Sequence, residues 1–120
     1  NLERFSYHYN IKRNCLEEMF EFKSYSELLH TFVNQDWVKN SSALICLSAS
    51  FVRTEVKYGD RGYRYCLLDA GHLAQNILLV SEILGLKCCP IGGFSDVSIN
   101  KYLELDGVTE AVIYLIAVGK

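Results

Sequence analysis

The chain has 120 residues, which is the size of a single domain able to bury roughly two thirds of the surface that its unfolded chain exposes. Half of the residues are hydrophobic and only one is a proline, a composition that excludes disordered, collagen-like and low-complexity proteins. Twelve basic and fourteen acidic residues give a net charge of −2. Because neither sign forms a block, the charge indicates neither duplex nucleic acid nor an anionic membrane as a partner.

The five cysteines and three histidines form no recognisable disulfide or metal-binding pattern. Cys88 and Cys89 are adjacent in an apolar run and would point to opposite faces of a strand, and no histidine stands at metal-ligand spacing from a cysteine. We therefore expect no metal site and a reducing, cytoplasmic location. The longest apolar-rich stretch, 66–86, contains too many polar side chains for a membrane span, and the first residues lack the pattern of a signal peptide.

The first part of the chain predicts a hairpin, a helix and a strand. Two aromatic-rich runs, Phe5–Tyr9 and Cys15–Phe22, are separated by a polar turn and predict the strands of the hairpin. A capping box at Ser24, followed by apolar residues at helical spacing, predicts a helix over 24–35. The nearly continuous apolar run Ala43–Phe51 is typical of a strand covered on both faces, so we expect it at the centre of a sheet.

A single long helix is predicted over 63–85, where Gly71 is the only breaker before Gly85. Apolar residues point in almost every direction around its second half, which requires cover either from the chain's own sheet or from another subunit. A row of small residues that includes Ala70, Ala74 and Ser81 would allow the close approach of a neighbouring helix, for example from a symmetry mate.

Three shorter elements complete the prediction. A short strand over 86–91 leads through two glycines to a helix over 95–103, for which Ser95 or Asp96 is the N-cap. After a turn at 105–107, the apolar run Ala111–Val118 predicts another strand buried on both faces. The order of strands and helices predicts an α+β protein whose helices cover a mainly antiparallel sheet.

Gly92 and Gly93 join the predicted strand to the next helix, and they are the first candidate binding segment. Glycines let the backbone approach a flat ligand closely while presenting free amides. A phosphate loop fits poorly, because no Walker-type lysine follows and Asp96 lies in the first helical turn. The edge of a neutral ring fits this segment better as a ligand. The alternative is a turn without a binding role, which is what a glycine pair at the end of a strand forms in most proteins.

The segment 57–65 interleaves three tyrosines with cations and is expected to form a glycine-containing loop before the long helix. A lysine beside a tyrosine phenol, as in Lys57 and Tyr58, can supply a proton acceptor usable near neutral pH. The same spacing equally fits a solvated loop that makes cation–π contacts.

Considered together, the run 57–76, the segment Pro90–Phe94 and the closing Ala117–Gly119 resemble the FMN-dependent nitroreductase superfamily. The resemblance is to its SagB-type branch, the azoline dehydrogenases that oxidise thiazolines and oxazolines of ribosomal peptides to azoles. Tyr7–Tyr9 and the segment around Trp37 also resemble that branch. The resemblance implies a nitroreductase-like fold with a bound FMN and a long central helix at a subunit interface.

The resemblance also implies roles for individual residues. Lys57 and Tyr58 match the pair that removes a proton from the heterocycle while hydride passes to the flavin. Lys120 matches a cation that contacts the flavin phosphate. The residues that it places against the flavin ring are Pro90, Ile91, Gly92 and Gly93.

The Arg/Ser-rich N-terminal segment with which this family binds the flavin phosphate has no counterpart in the sequence. We therefore expect residues 1–120 to be the C-terminal part of a nitroreductase-like FMN domain: a truncated product, one half of a split enzyme, or a homologue that no longer binds flavin. The implied partners are a second copy or a complementary N-terminal chain, with a ribosomal peptide substrate and its cyclodehydratase. A generic nicotinamide-dependent oxidoreductase and a non-catalytic scaffold subunit are the alternatives.

Overall fold

The structure, a computed structural model, describes residues 5–21, 25–32 and 35–120. Its strands form a two-stranded hairpin and a three-stranded sheet, and every described strand pair is antiparallel. The predicted α+β class with an antiparallel sheet and one long helix is therefore confirmed. Within the described residues, no helix has both the length and the apolar character needed to cross a lipid bilayer.

The N-terminal hairpin has the two predicted strands. Strand β1 spans Phe5–Asn10 and strand β2 spans Cys15–Glu21. The turn between them is closed by Asn14, whose positive φ of 50° suits an asparagine. The side chain of Asn10 also accepts a hydrogen bond from the Arg13 amide at 3.0 Å. The polar residues between the strands thus form the turn that the sequence predicts.

The first helix is shorter than the predicted range 24–35. Helix α1 spans Tyr25–Leu29, and the predicted cap Ser24 lies outside the described residues. Thr31 ends the helix, because its amide and its hydroxyl both donate to the Leu28 carbonyl, at 3.0 and 2.7 Å. A threonine hydroxyl that bonds a nearby carbonyl competes in this way with helix continuation.

The main sheet consists of β3 (Ala43–Ser50), β4 (Lys87–Ile91) and β5 (Glu110–Gly119). The strand order is β3-β5-β4, so β5 is the central strand, as its apolar run predicts. The expectation that β3 is central is wrong for the described sheet, where β3 lies at an edge. Apart from the buried Ala49, its side chains are exposed or half-buried.

Two helices connect β3 to β4. Helix α2 spans Phe51–Tyr58, a 3-10 turn spans Gly59–Arg61, and helix α3 spans Gly62–Ile83. The 22 residues of α3 confirm the predicted long helix. The loop expected over 57–65 is wrong, because its first two residues form the last turn of α2. Gly59 ends α2 with a φ of 56°, a conformation that glycine adopts without steric cost.

Helix α3 turns small residues inward and large ones outward. It packs against α2, β4 and β5, which its small side chains allow it to approach closely. The helix that packs against α3 in the described chain is α2, and a contact of α3 with another subunit stays a prediction. The buried residues of α3 are Gly62, Cys66, Ala70, Ala74 and Ser81. The exposed large apolar residues of its opposite side include Leu67, Leu73, Leu79, Val80 and Ile83.

Helix α4 spans Asp96–Tyr102 and packs on the core. Ser95 is its N-cap, since the Ser95 hydroxyl accepts a hydrogen bond from the Ser98 amide at 3.4 Å. One apolar cluster joins α1, α4 and the main sheet. Its buried members are Leu28, Phe32, Val38, Ile91, Ile99, Val112, Leu115 and Ala117.

Asp106 fixes the turn that leads into β5. Its Oδ1 accepts hydrogen bonds from the amides of Glu110, Thr109 and Val108 at 2.9, 2.8 and 2.9 Å, and its Oδ2 accepts one from the Thr109 hydroxyl. These donors, the Glu110 amide foremost, hold the pKa of the Asp106 carboxyl well below its usual range. The turn predicted at 105–107 is therefore confirmed.

Gly62→Ala is expected to lower the free energy of unfolding by about 1–3 kcal/mol, because it overpacks the contact between α2 and α3. A Cβ at Gly62 would lie 2.9 Å from the backbone nitrogen of Glu55. Gly71→Ala is the control, since nothing lies within 4 Å of a Cβ there, and it should instead stabilise α3 by about 0.5–1 kcal/mol. Urea unfolding measures both; equal midpoints would contradict the close approach of the two helices.

Candidate functional site

The candidate segments follow two strands that run in the same direction on either side of β5. Strands β3 and β4 each run antiparallel to β5, so they are parallel to each other, but β3 ends where Ser50 pairs with Glu110 and β4 ends where Ile91 pairs with Leu115. Helix α2 follows Ser50 at the end of β3, and the glycine loop, Gly92 and Gly93, follows Ile91 at the end of β4. Two segments far apart in the sequence thus leave the sheet on either side of β5.

Lys57 and Tyr58 contact each other in the last turn of α2. The Lys57 Nζ lies 5.0 Å from the centroid of the Tyr58 ring, which is a cation–π contact. The ring of Tyr65, from α3, packs edge-on against Tyr58 with centroids 4.8 Å apart. Tyr58 is nevertheless 46% exposed. The pair is therefore held in place by its neighbours and is open to a ligand.

Helix α2 is attached to α3 by further contacts that fix the position of this pair. Phe51 and Tyr63 pack their rings with centroids 5.5 Å apart. The Cys66 thiol lies 3.4 Å from the Thr54 hydroxyl, within hydrogen-bonding distance. These contacts explain why the segment that begins at residue 57 is ordered instead of forming the expected loop.

The glycine loop presents an open backbone surface. A Cβ at Gly92 would meet nothing within 4 Å, so a flat group can approach the main chain there. Among the residues that the structure describes, the backbone amides of Gly92, Gly93 and Phe94 donate no hydrogen bond to the protein. Backbone amides that donate to no described residue can bind an acceptor atom of a ligand.

Gln35 contacts the glycine loop from the protein side. Its Nε2 donates a hydrogen bond to the Gly93 carbonyl oxygen at 2.5 Å, and the Ser95 amide donates to the Thr31 carbonyl at 2.7 Å. The sequence analysis missed Gln35 and placed it at the end of a predicted helix. No local signal could have found it, because a lone glutamine does not reveal a partner 58 residues away.

No hydrogen bond or ring contact within the described ranges joins Lys57 or Tyr58 to the glycine loop. The described contacts therefore do not bring the two parts of the predicted site together. A bound ligand would have to bridge them.

Lys120 lies toward the opposite end of β5. Ile91, next to the glycine loop, pairs with Leu115, whereas Gly119 pairs with Lys87 at the start of β4. At roughly 3.4 Å per residue, the distance from Leu115 to Lys120 along the strand is about 17 Å. Only an elongated ligand lying along β4 could contact both the glycine loop and Lys120.

Two cavities of the described chain lie around α4, away from these residues. One of about 400 Å³ lies between α4 and the turn at 105–107. The other, of about 420 Å³, lies between the hairpin and the end of α4, where burial and the Glu27 carboxylate raise the pKa of the Tyr102 phenol. The predicted site residues instead form an open surface. The residues that line the second cavity are Phe20, Glu21, Glu27, Ser98, Lys101, Tyr102 and Glu104.

The sequence matches the profile of the Nitroreductase family over residues 3–120. The chain therefore belongs to the nitroreductase family, as the resemblance of its motifs predicts. The protein MJ1384 of Methanocaldococcus jannaschii, which carries a nitroreductase name, is 30% identical over 114 residues, or 95% of this chain and 56% of MJ1384. The microcin B17-processing protein McbC of Escherichia coli is 38% identical over 61 residues, or 51% of this chain and 22% of McbC.

Solved structures show the same fold. One similar structure is a chain of the E. coli microcin synthetase McbBCD complex, solved with truncated pro-MccB17 bound. The two chains superpose with a TM-score of 0.81 at 27% identity, and the aligned region covers 95% of this chain and 43% of the synthetase chain. A structure described as a nitroreductase of Anabaena variabilis superposes with a TM-score of 0.81 at 29% identity. The aligned region covers 93% of this chain and 23% of the Anabaena chain. The predicted nitroreductase-like fold is therefore confirmed, and McbC is among the relatives, as a SagB-type resemblance implies.

The chain spans about half the length of MJ1384, and the half of the chain that matches McbC spans about a fifth of that protein. The comparisons therefore show the family and the fold of this chain. The activity, substrate and partners of the whole protein are matters for proposal.

Proposed function

We propose that the chain is a subunit or fragment of an FMN-dependent dehydrogenase that oxidises thiazolines or oxazolines in peptides to thiazoles or oxazoles. The observation that carries the proposal is the contact between Lys57 and Tyr58 on an exposed surface of a chain related to McbC. Oxidation of an azoline ring removes one hydride and one proton, so the site needs an electron acceptor and a base.

The glycine loop fits the edge of a flavin ring. Its free amides are donors for the ring's acceptor atoms, and the space above Gly92 is open. When bound, FMN supplies the acceptor for the hydride. Pro90, Ile91, Gly92 and Gly93 would lie against the ring.

Lys120 is the proposed contact to the flavin phosphate. A phosphate dianion is bound well by several convergent donors, and one lysine supplies only part of such a set. We therefore propose that a second copy or a complementary N-terminal chain supplies the remaining donors.

Lys57 and Tyr58 are proposed to remove the ring proton. In this role Tyr58 would act as a phenolate, whose negative charge the neighbouring Lys57 ammonium stabilises, and it would become a neutral phenol when it takes the ring proton. Tyr65, packed edge-on against Tyr58, restricts the ring to one orientation. Because both side chains are exposed, a peptide ring can reach them without a conformational change in α2.

The exposed face of α3 is the proposed surface for the partner chain. Large apolar residues that cluster on one side of a helix mark a site of protein interaction more often than a solvated surface. Leu73, Leu79 and Ile83 lie on this face and are all exposed. The proposed peptide substrate and its cyclodehydratase find support in the likeness to a chain of the McbBCD complex, which was solved with truncated pro-MccB17 bound.

Mass spectrometry of a thiazoline-containing peptide tests the proposal. The purified protein, with any chain that copurifies with it, is incubated with FMN and the peptide, and each oxidised ring should lose two hydrogen atoms. The same peptide with an unmodified cysteine in place of the thiazoline is the control and should keep its mass. An unchanged thiazoline in the presence of bound FMN would overturn the proposed substrate.

A generic nicotinamide-dependent nitroreductase is the second candidate. It is favoured by MJ1384, whose match extends over 95% of this chain. In that case the protein should oxidise a nicotinamide cofactor in the presence of a nitroaromatic compound and leave the thiazoline unchanged. Absence of flavin and of both activities would instead favour a scaffold subunit.

A further inference from the structure

A side-chain hydrogen bond joins the glycine loop to a distant part of the chain. The Gln35 Nε2 donates to the Gly93 carbonyl at 2.5 Å, across 58 residues of sequence. A Cβ at Gly93 would lie 3.3 Å from that nitrogen, a tight contact that a small shift of the glutamine side chain would relieve.

We propose that Gln35 is a positioning residue of the flavin site, which holds the glycine loop in the conformation that presents its free amides to the ring. This inference rests on the proposed function. In a planar trans peptide the carbonyl and the following N–H point in opposite directions. Holding the Gly93 carbonyl toward Gln35 therefore turns the Phe94 amide away from Gln35, and this amide donates to no described residue.

Gln35 is itself firmly held. Its carbonyl accepts a hydrogen bond from the Val38 amide at 3.0 Å, and Val38 is completely buried in the core. The hydrogen bond from Ser95 to Thr31 holds the far side of the loop, and Thr31 is also buried. Both contacts therefore connect the loop to core residues.

Two consecutive glycines make this support necessary. Glycine has more backbone freedom in an unsupported loop than any other residue, and ordering that freedom when a ligand binds lowers the affinity. A side-chain amide that orders the loop beforehand removes part of this cost, which is the general advantage of a preorganised site.

The test compares Gln35→Leu and Gln35→Glu with Lys12→Leu, a control at an exposed position in the turn between β1 and β2. The first readout is hydrogen exchange of the Ser95 amide without FMN, which should become faster in Gln35→Leu. The second is FMN affinity from quenching of flavin fluorescence, which should weaken about two- to tenfold, the range expected for the loss of one hydrogen bond. The visible spectrum of bound FMN should also shift, whereas Lys12→Leu should match the parent protein in all three measurements.

Gln35→Glu provides a pH-dependent check of the same hydrogen bond. An ionised carboxylate cannot donate to the Gly93 carbonyl, but a protonated carboxyl can. Flavin affinity of this variant should therefore be weak at neutral pH and should approach that of the parent as the pH falls through about 4–5. Gln35→Leu should show no such recovery.

The outcomes separate the inference from the proposed function. If the parent protein binds FMN and Gln35→Leu binds it with the same affinity and spectrum, the positioning role is overturned and the flavin site stands. Faster Ser95 exchange with unchanged flavin binding would overturn it as well, because Gln35 would then only support the loop. If the parent protein fails to bind FMN even with its partner chain, both the proposed function and this inference are overturned.

Discussion

Lys57→Ala is expected to lower the rate of azole formation by about 100-fold or more, the usual size of a general acid–base contribution. The reason is that this substitution removes the ammonium that lies 5.0 Å from the centroid of the Tyr58 ring. Flavin content should stay unchanged, since no described contact joins Lys57 to the glycine loop. Single-turnover mass spectrometry measures the rate, and the flavin absorbance per protein measures the content.

Two variants of α2 serve as controls for this experiment. Arg53→Ala removes an exposed cation from the same helix and should leave the rate unchanged. Tyr58→Phe keeps the ring that contacts Lys57 and Tyr65 but removes the hydroxyl, so a loss of rate assigns the proton transfer to the phenol. An unchanged azole yield in Lys57→Ala would remove Lys57 from the proposed mechanism, and unchanged reduction of a nitroaromatic compound would favour the second candidate.

Ile99→Ala is expected to lower the free energy of unfolding by about 2–5 kcal/mol, because it leaves a cavity in the core. Ile99 is completely buried in the apolar cluster that joins α1, α4 and the main sheet. A loss of this size is a large fraction of the roughly 5–15 kcal/mol that stabilises a typical domain. Urea unfolding followed by circular dichroism measures the change.

Val97→Ala is the matched control in the same helix. Val97 is 81% exposed, so its truncation should change the free energy of unfolding by no more than about 0.5 kcal/mol. If the two variants unfold at the same urea concentration, α4 does not pack on the sheet as described.

Elements whose partners are local, or whose burial is complete, could be predicted from the sequence. The hairpin follows from two aromatic-rich runs around a polar turn, and β5 follows from its unbroken apolar run. The N-cap of α4 could be predicted because Ser95 bonds an amide only three residues away. In each case the signal and the contact lie within a few residues.

Helix α2 was missed because its first residues continue the apolar run of β3 without a break. No side-chain hydrogen bond caps its N-terminus at Ser50, so the usual start signal is weak. A stop signal was present, since Lys57 lies in the last turn and Gly59 follows with a positive φ. A helix that ends at Tyr58 could have been inferred from that end alone.

The faces of α3 could not be assigned because both of them are apolar. Periodicity shows that the helix needs cover on several sides, but it does not show which side the same chain covers. The structure assigns the buried side to small residues such as Ala70 and Ala74, and the exposed side to Leu73 and Leu79. The role of β3 at the edge of the described sheet was missed for the same reason, since an apolar run does not reveal how many neighbours a strand has.

The candidate site was predicted only in its parts. Lys57, Tyr58 and the glycine loop were identified from their residue types and from the family resemblance. The hydrogen bond from Gln35 depends on how the fold brings residues 35 and 93 together. An amide side chain carries no periodicity from which that contact could be inferred.

The central position of β5 also affects the order in which the protein folds. Strands β3 and β4 both precede β5 in the chain, and each pairs with β5 and not with the other. During synthesis neither strand has its described hydrogen-bonding partner until β5 has left the ribosome, so their backbone edges stay unpaired during that interval. Contacts between such distant segments form slowly, and the nascent chain is expected to be prone to aggregation until β5 is inserted between β3 and β4.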